Sequence, residues 1–389
     1  MKILVAPNAF KEALSAKEAA EAIQGGLLRA LPESNIIILP IADGGDGTIE
    51  VLVEATKGRL IQAEVTGPLG EKRLADFGIL GDGKTAVIEM ARSSGLALVP
   101  KEKRNPAITT TYGVGELIKR ALEEGAKKIL IGIGGSATND GGAGMAQALG
   151  VRLLDKEGEE IPLGGLALSN LYHIDMSGFS PLAKDCEVIV MADVKNPLCG
   201  PEGASYVYGP QKGGDRELIE RLDKALYNFS QVVKYDLGKD ILNIPGSGAA
   251  GGLGGGLVAF LNAKLRPGIE VVMEILNVEK ALEGVDLVIS GEGKIDSQTF
   301  FGKAPAGIAK KAKEKNIPVI LLGGTVDESA RILQEKDLVD AIFSITRGPI
   351  SLEESIKDTS KQLYWTSYQI GRLIRLFTIH TFRIPFLDS

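Results

Sequence analysis

Lysines and carboxylates recur in glycine-rich turns along this chain, whereas imidazole and thiol groups are scarce. His173 and His380 are its two histidines and Cys186 and Cys199 its two cysteines. A zinc cluster, a disulfide framework and thiol or imidazole catalysis therefore have few candidates, and each cysteine is expected to pack. Carboxylate, lysine and Mg²⁺ chemistry remains. It is the usual equipment for phosphoryl transfer, in which catalysis consists mostly of positioning and charge neutralisation.

The most informative turn runs from Lys128 to Gly144, K-I-L-I-G-I-G-G-S-A-T-N-D-G-G-A-G. An apolar strand enters a turn where Gly132, Gly134 and Gly135 let the backbone approach a ligand. Ser136, Thr138 and Asn139 add donors there and Asp140 an acid. The segment from Gly141 to Leu149 is expected to open a helix whose N-terminal amides favour negative charge, so phosphate or carboxylate is the expected guest. Further acids follow other strand-like runs: Asp43 and Asp46 in I-A-D-G-G-D-G-T, Asp193 in M-A-D-V-K-N-P-L-C-G, and Glu292 and Asp296 in S-G-E-G-K-I-D-S-Q-T-F-F-G-K, which also carries Lys294. Lys11 follows the first strand. Any one of these acids has a plain reading as a turn or helix cap. Their repetition at strand ends, where open α/β sheets bind ligands, favours a site.

The elements that must position them alternate. Short β-branched runs (Lys2 to Ala6, Ile36 to Pro40, Asp286 to Ser290, Val319 to Gly323, Ala341 to Ile345) are separated by helical stretches (Ala16 to Ala30, Thr48 to Ala55, Gly307 to Lys315, Ser329 to Gln334). This rhythm predicts an α/β fold with a mostly parallel sheet. From Ile61 to Gly83 the pattern is that of hairpins around Gly67-Pro68 and Asp82-Gly83, and from Thr109 to Leu154 helices and strands alternate again. The expected organisation is a domain of residues 1–60 and 265–389 with a second α/β domain, 61–264, inserted. At 389 residues two domains are the default. A net charge of −6 argues against nucleic-acid or polybasic membrane partners. The M-K-I-L-V-A-P opening lacks a leader pattern and no apolar run reaches ~18 residues, so a cytoplasmic protein acting on small molecules is expected. Ser367 to Phe377 reads as a basic amphipathic helix, and the apolar tail Phe382 to Leu387 is a candidate contact with a second subunit of a homo-oligomer.

Two motifs compete for the nucleotide. Gly78 to Thr85, G-I-L-G-D-G-K-T, matches a P-loop literally, but a β-like run, Thr85 to Met90, follows it where a helix is required, so a hairpin is expected. Gly132 to Ala137 fits G-x-G-x-x-A, with Asp155 ending the next strand-like run, Val151 to Leu154. That keeps an NAD(P)-dependent dehydrogenase of small hydroxy acids as the alternative. A sensor of sugar acids using the same turns is a third.

Taken together, A-P-N-A-F-K-E-A-L-S-A, A-D-G-G-D-G-T, G-I-G-G-S-A-T-N-D-G-G-A-G, A-D-V-K-N-P-L-C-G, the Gly246 to Gly256 loop and G-E-G-K-I-D-S-Q-T-F-F-G-K-A-P closely resemble the bacterial type 1 glycerate kinase family over essentially the whole chain. The family often has Asp at Asn8, Glu at Asp46 and Arg at Lys294, so catalysis is not assigned to Asn8. The resemblance implies a flavodoxin-like domain formed by both chain ends, an inserted α/β domain, and MgATP-dependent phosphorylation of D-glycerate in the cleft between them, with 2-phosphoglycerate and ADP as products. Formation of 3-phosphoglycerate is the alternative outcome. By chemistry, Asp193 and Asp296 are the candidate base and Mg²⁺ ligand in either order, assisted by Lys11 and Lys294 as neutralising cations. Asp43, Glu292, Gly134, Gly135, Ser136, Thr138, Asn139 and Asp140 are candidate substrate or phosphate contacts. The residues leave open whether the turn holds ATP phosphates or the glycerate carboxylate.

Overall fold

The computed structural model describes residues 1–300 and 302–380. In chain order its strands are β1 (Lys2–Val5), β2 (Asn35–Ile38), β3 (Arg59–Thr66), β4 (Lys72–Ile79), β5 (Thr85–Glu89), β6 (Lys128–Gly132), β7 (Arg152–Leu154), β8 (His173–Asp175), β9 (Glu187–Met191), β10 (Lys264–Arg266), β11 (Leu287–Ile295), β12 (Val319–Val326) and β13 (Ala341–Ser344). The chain divides into two compact units: Met1–Asp43 with the segment from Val272 onward, and Gly44–Val271.

Among the described residues the first unit holds a five-stranded sheet in the order β13-β12-β11-β1-β2, every neighbouring pair parallel. Numbered within the unit, this is 2-1-3-4-5, the doubly wound flavodoxin-like order, whose switch point lies between β1 and β11. Ile3, Val5, Leu287 and Ile289 form its core with Ile23 and Leu27 of the helix Ala16–Ala30. That helix starts where the sequence signals it: Ser15 Oγ accepts from Glu18 N while Glu18 Oε2 accepts from Ser15 N, a capping box. The expected Ser367 to Phe377 segment belongs to a longer helix, Leu352–His380, which packs on Ala16–Ala30. The tail from Phe382 to Leu387 lies outside the described residues.

The second unit holds a six-stranded sheet, β10-β9-β6-β5-β4-β3, parallel from β10 to β5 and antiparallel from β5 to β3, beside a separate β7-β8 pair. The division between units differs from the 60/61 and 264/265 boundaries expected above. The helix Thr48–Thr56 packs on β4 and β5, and β10 pairs with β9, so both segments join the second unit. Among the described residues no helix is long and apolar enough to cross a membrane.

The P-loop match falls in the β4–β5 hairpin. Asp82 closes that turn by accepting from Lys84 N and Thr85 N (both 2.9 Å) and from Thr85 Oγ1 (2.6 Å). Lys84→Ala is accordingly expected to leave turnover near wild type, and a ~10³ loss of kcat would restore a phosphate role for this lysine. The dinucleotide pattern also fails. β7 pairs antiparallel with β8 instead of returning beside β6, and Asp155 Oδ1 accepts from Glu157 N and Glu159 N within its own turn.

Candidate active site

In the first unit β11 with the residue that follows it, the loop after β2 and the loop after β1 carry five of the expected residues, Glu292, Lys294, Asp296, Asp43 and Lys11, at the carboxyl edge of the sheet. Asn8 N donates to Gly291 O, which keeps the loop after β1 beside β11, and Asn8 Nδ2 donates to Asp43 Oδ2 at 3.4 Å. Glu292 was expected in a turn, but it lies within β11, in register with Gly323 of β12. Glycines read as a turn in sequence; here they let two extended strands pack closely, since a Cβ on Gly291 would lie 2.1 Å from Leu322 O. Among the acids of this motif only Asp296 follows the strand end.

The two acids sit in different fields. Glu292 is buried and accepts from Thr299 Oγ1 (2.8 Å). Burial raises its pKa, Thr299 and Lys303 oppose the rise, and the charge of Asp43 adds to it. Burial also works to raise Asp296, but Lys294 (3.2 Å), Lys303 (3.8 Å) and the Gln298 amide outweigh it and hold the carboxyl below its ordinary value. Environments that push two carboxyls apart are how acid and base roles are divided in one site. Lys303, which caps the helix Ala304–Lys313, also reaches Glu292 Oε1 at 3.6 Å. It was missed as a site residue although it stands in the quoted motif, at its last position. Lys11 is exposed on the loop after β1.

In the second unit the Gly132 to Asp140 turn follows β6 as expected, but its donors are already engaged. Asp140 is fully buried; its carboxylate accepts from Thr111 N and Thr111 Oγ1 (both 2.8 Å), Gly142 N (3.2 Å) and Gly144 N (3.3 Å). Met145 N donates to Thr111 Oγ1. The amides that open the helix Ala143–Ala148 are thus occupied by the protein's own groups, contrary to the expectation that they receive an anion. Burial pushes the Asp140 carboxyl up against these hydrogen bonds, but all of the partners donate, an arrangement that suits a carboxylate. Asn139 Nδ2 bonds Ser205 Oγ (3.0 Å), and Thr138 Oγ1 and Asn139 Oδ1 are buried without a partner. Gly132 is required for packing, because a Cβ there would lie 2.2 Å from Gly44 O, while Gly134 and Gly135 form the exposed tip. Behind the turn stands the buried Lys212, which donates to Ser136 Oγ and Thr138 O and was not anticipated; the signal available was a lysine inside the tight G-P-Q-K-G-G turn.

Asp193 follows β9 and its Oδ1 accepts from Gly268 N (2.9 Å) at the start of the helix Gly268–Ile275. Burial raises the thiols of Cys186 and Cys199 to about 11 and about 12, so both are packed and protonated.

The glycerate kinase family profile matches residues 3–375. The chain is 50% identical over 376 residues to the glycerate kinase of Bacillus subtilis (strain 168), covering 97% of this chain and 98% of the relative. It is likewise 50% identical to the glycerate 2-kinase of Escherichia coli (strain K12), with 97% and 98% covered. A crystal structure from Salmonella typhimurium LT2, assigned as glycerate kinase 2, superposes with a TM-score of 0.89 at 47% identity, covering 97% of this chain and 99% of that one. With its acid cluster at the switch point of a doubly wound sheet, the chain belongs to the glycerate kinase family.

Proposed function

We propose that the protein is an ATP-dependent glycerate kinase that converts D-glycerate and MgATP to 2-phosphoglycerate and ADP. The observation that carries this reading is the Glu292, Asp296, Lys294 and Lys303 cluster beside the β1/β11 switch point, in a chain of this family. The C2 hydroxyl oxygen attacks the γ-phosphorus, the bond to the β,γ-bridging oxygen breaks, and ADP leaves with the electron pair. Asp296 accepts the hydroxyl proton, and Lys294 and Lys303 offset the charge that builds around it. Lys11, exposed on the adjoining loop, is a further cation for substrate charge.

Among the described residues no three His, Cys, Asp or Glu side chains are grouped to hold a metal ion. Mg²⁺ is usually held by one or two carboxylates together with the substrate phosphates. Asp43 and Glu292 suit it better than Asp296, whose two oxygens face Lys294 at 3.2 Å and Lys303 at 3.8 Å, whereas among the described residues Glu292 pairs with Lys303 alone, at 3.6 Å. Asp193 is a weaker candidate because one of its oxygens caps Gly268. When bound, the ion would neutralise phosphate charge. The reading places the enzyme in the cytoplasm, where MgATP is available.

Purified protein with D-glycerate and MgATP should release ADP without any change in nicotinamide absorbance. Product NMR should place the phosphate on C2. A signal from phosphate on C3 would reassign the acceptor hydroxyl, and ligand-dependent stabilisation without ADP release would leave only a sensor.

A further inference from the structure

Lys212 ends the turn Pro210–Lys212, fixed by its N–H to Gly209 O (3.0 Å) and followed by Gly213 at φ 93°, where a Cβ would lie 2.3 Å from Arg104 O. Its side chain is 1% exposed, and its ammonium donates to Ser136 Oγ at 2.8 Å and Thr138 O at 2.7 Å. Burying an ammonium is costly, and two hydrogen bonds offset the cost only in part. Within the protein the charge of Asp140 helps to hold the ammonium. Two observations point outward instead. Ser136 accepts from Lys212, which leaves the hydroxyl's own proton for another acceptor, beside the exposed Gly134 and Gly135. Thr138 Oγ1, in the same turn, is buried without a partner.

We propose that Lys212 is a positioning residue for substrate binding: it supplies the positive charge behind the Gly134–Ser136 tip and directs the Ser136 hydroxyl proton to a carboxylate or phosphate oxygen of a substrate. This rests on the kinase reading above. Burial draws the Lys212 pKa down to about 7 while Asp140 holds it up, and an anion at Ser136 would act in the same sense as Asp140.

The test compares Ser136→Ala, Lys212→Met, the double variant of the two, and Lys212→Met with Asp140→Asn as a charge-balanced partner that guards against misfolding. Ser136→Ala and Lys212→Met should each raise KM roughly 10-fold or more for one substrate, with kcat changed far less, as expected when a charge-assisted bond to a ligand is lost. A rise for D-glycerate assigns the anion as its carboxylate; a rise for ATP assigns phosphate. The Ser136/Lys212 double variant should add little, since the two act as one unit. The charge-balanced variant should regain thermal stability and keep the raised KM. A normal KM for both substrates in folded Ser136→Ala, additive effects in the double variant, or recovery of KM together with stability in the charge-balanced variant would each overturn the proposal. Thermal-shift titrations with D-glycerate and with ATP read the same affinities without turnover. An inactive wild type would thus refute the kinase reading while leaving this inference to be decided by binding.

Discussion

Asp296→Asn should fold as the wild type does and lose kcat by roughly 10² or more, the usual scale for removing an acid-base group. Asparagine keeps the shape and keeps an oxygen for the Gln298 amide, which donates to Asp296 Oδ1 at 3.0 Å. It removes the charge that Lys294 and Lys303 now hold ionised. The loss should fall on kcat, and the Mg²⁺ concentration for half-maximal rate should not move. Glu292→Gln should raise that Mg²⁺ requirement, because a missing ligand weakens ion binding whereas a missing base does not. Asp193→Asn is the comparator. One of its oxygens serves Gly268 N, a bond asparagine retains, so a smaller loss is expected. Near-wild-type turnover in Asp296→Asn would remove this residue from the mechanism, and a matching Mg²⁺ shift in the Asp296 and Glu292 variants would refute the division of roles.

Most strands of both sheets were legible because strands buried on both faces read as apolar runs, such as K-I-L-V in β1 and E-V-I-V-M in β9, whereas the three-residue β10 was not. The hairpins were legible from Asp and Gly in the turns. β11 was underestimated because its ladder with β12 runs through G-E-G-K, where glycines signal a turn but in fact permit close strand contact. The site residues divide in the same way. Asp43, Glu292, Lys294 and Asp296 became candidates from local pattern, as charged residues after or within apolar runs. Lys212 did not, because its partner Ser136 lies 76 residues away and nothing periodic links them. The self-satisfied helix start after Asp140 was equally hidden, since Thr111 reaches it from 29 residues earlier in the chain.

Asp140→Ala should cause a large loss of stability. The side chain takes four hydrogen bonds, from Thr111 N, Thr111 Oγ1, Gly142 N and Gly144 N, in a fully buried setting. A buried donor left without an acceptor costs about 1–3 kcal/mol, and alanine strands all of these while removing the negative charge that faces Lys212. Water entering the void would recover part of the loss, so a net penalty of several kcal/mol is expected. For a unit of this size, that lowers its Tm by roughly 10 °C or more. Asp140→Asn tests whether acceptors or charge set the effect. Oδ2 receives three of the bonds and Oδ1 one, so asparagine with its oxygen in the Oδ2 place loses only the Gly142 contact. Its Tm should fall by about a third as much as that of the alanine variant. Scanning calorimetry on both variants decides the matter: equal losses would mean that the charge governs, and an unshifted alanine variant would mean that Thr111, Gly142 and Gly144 find other acceptors and that Asp140 does not organise the turn.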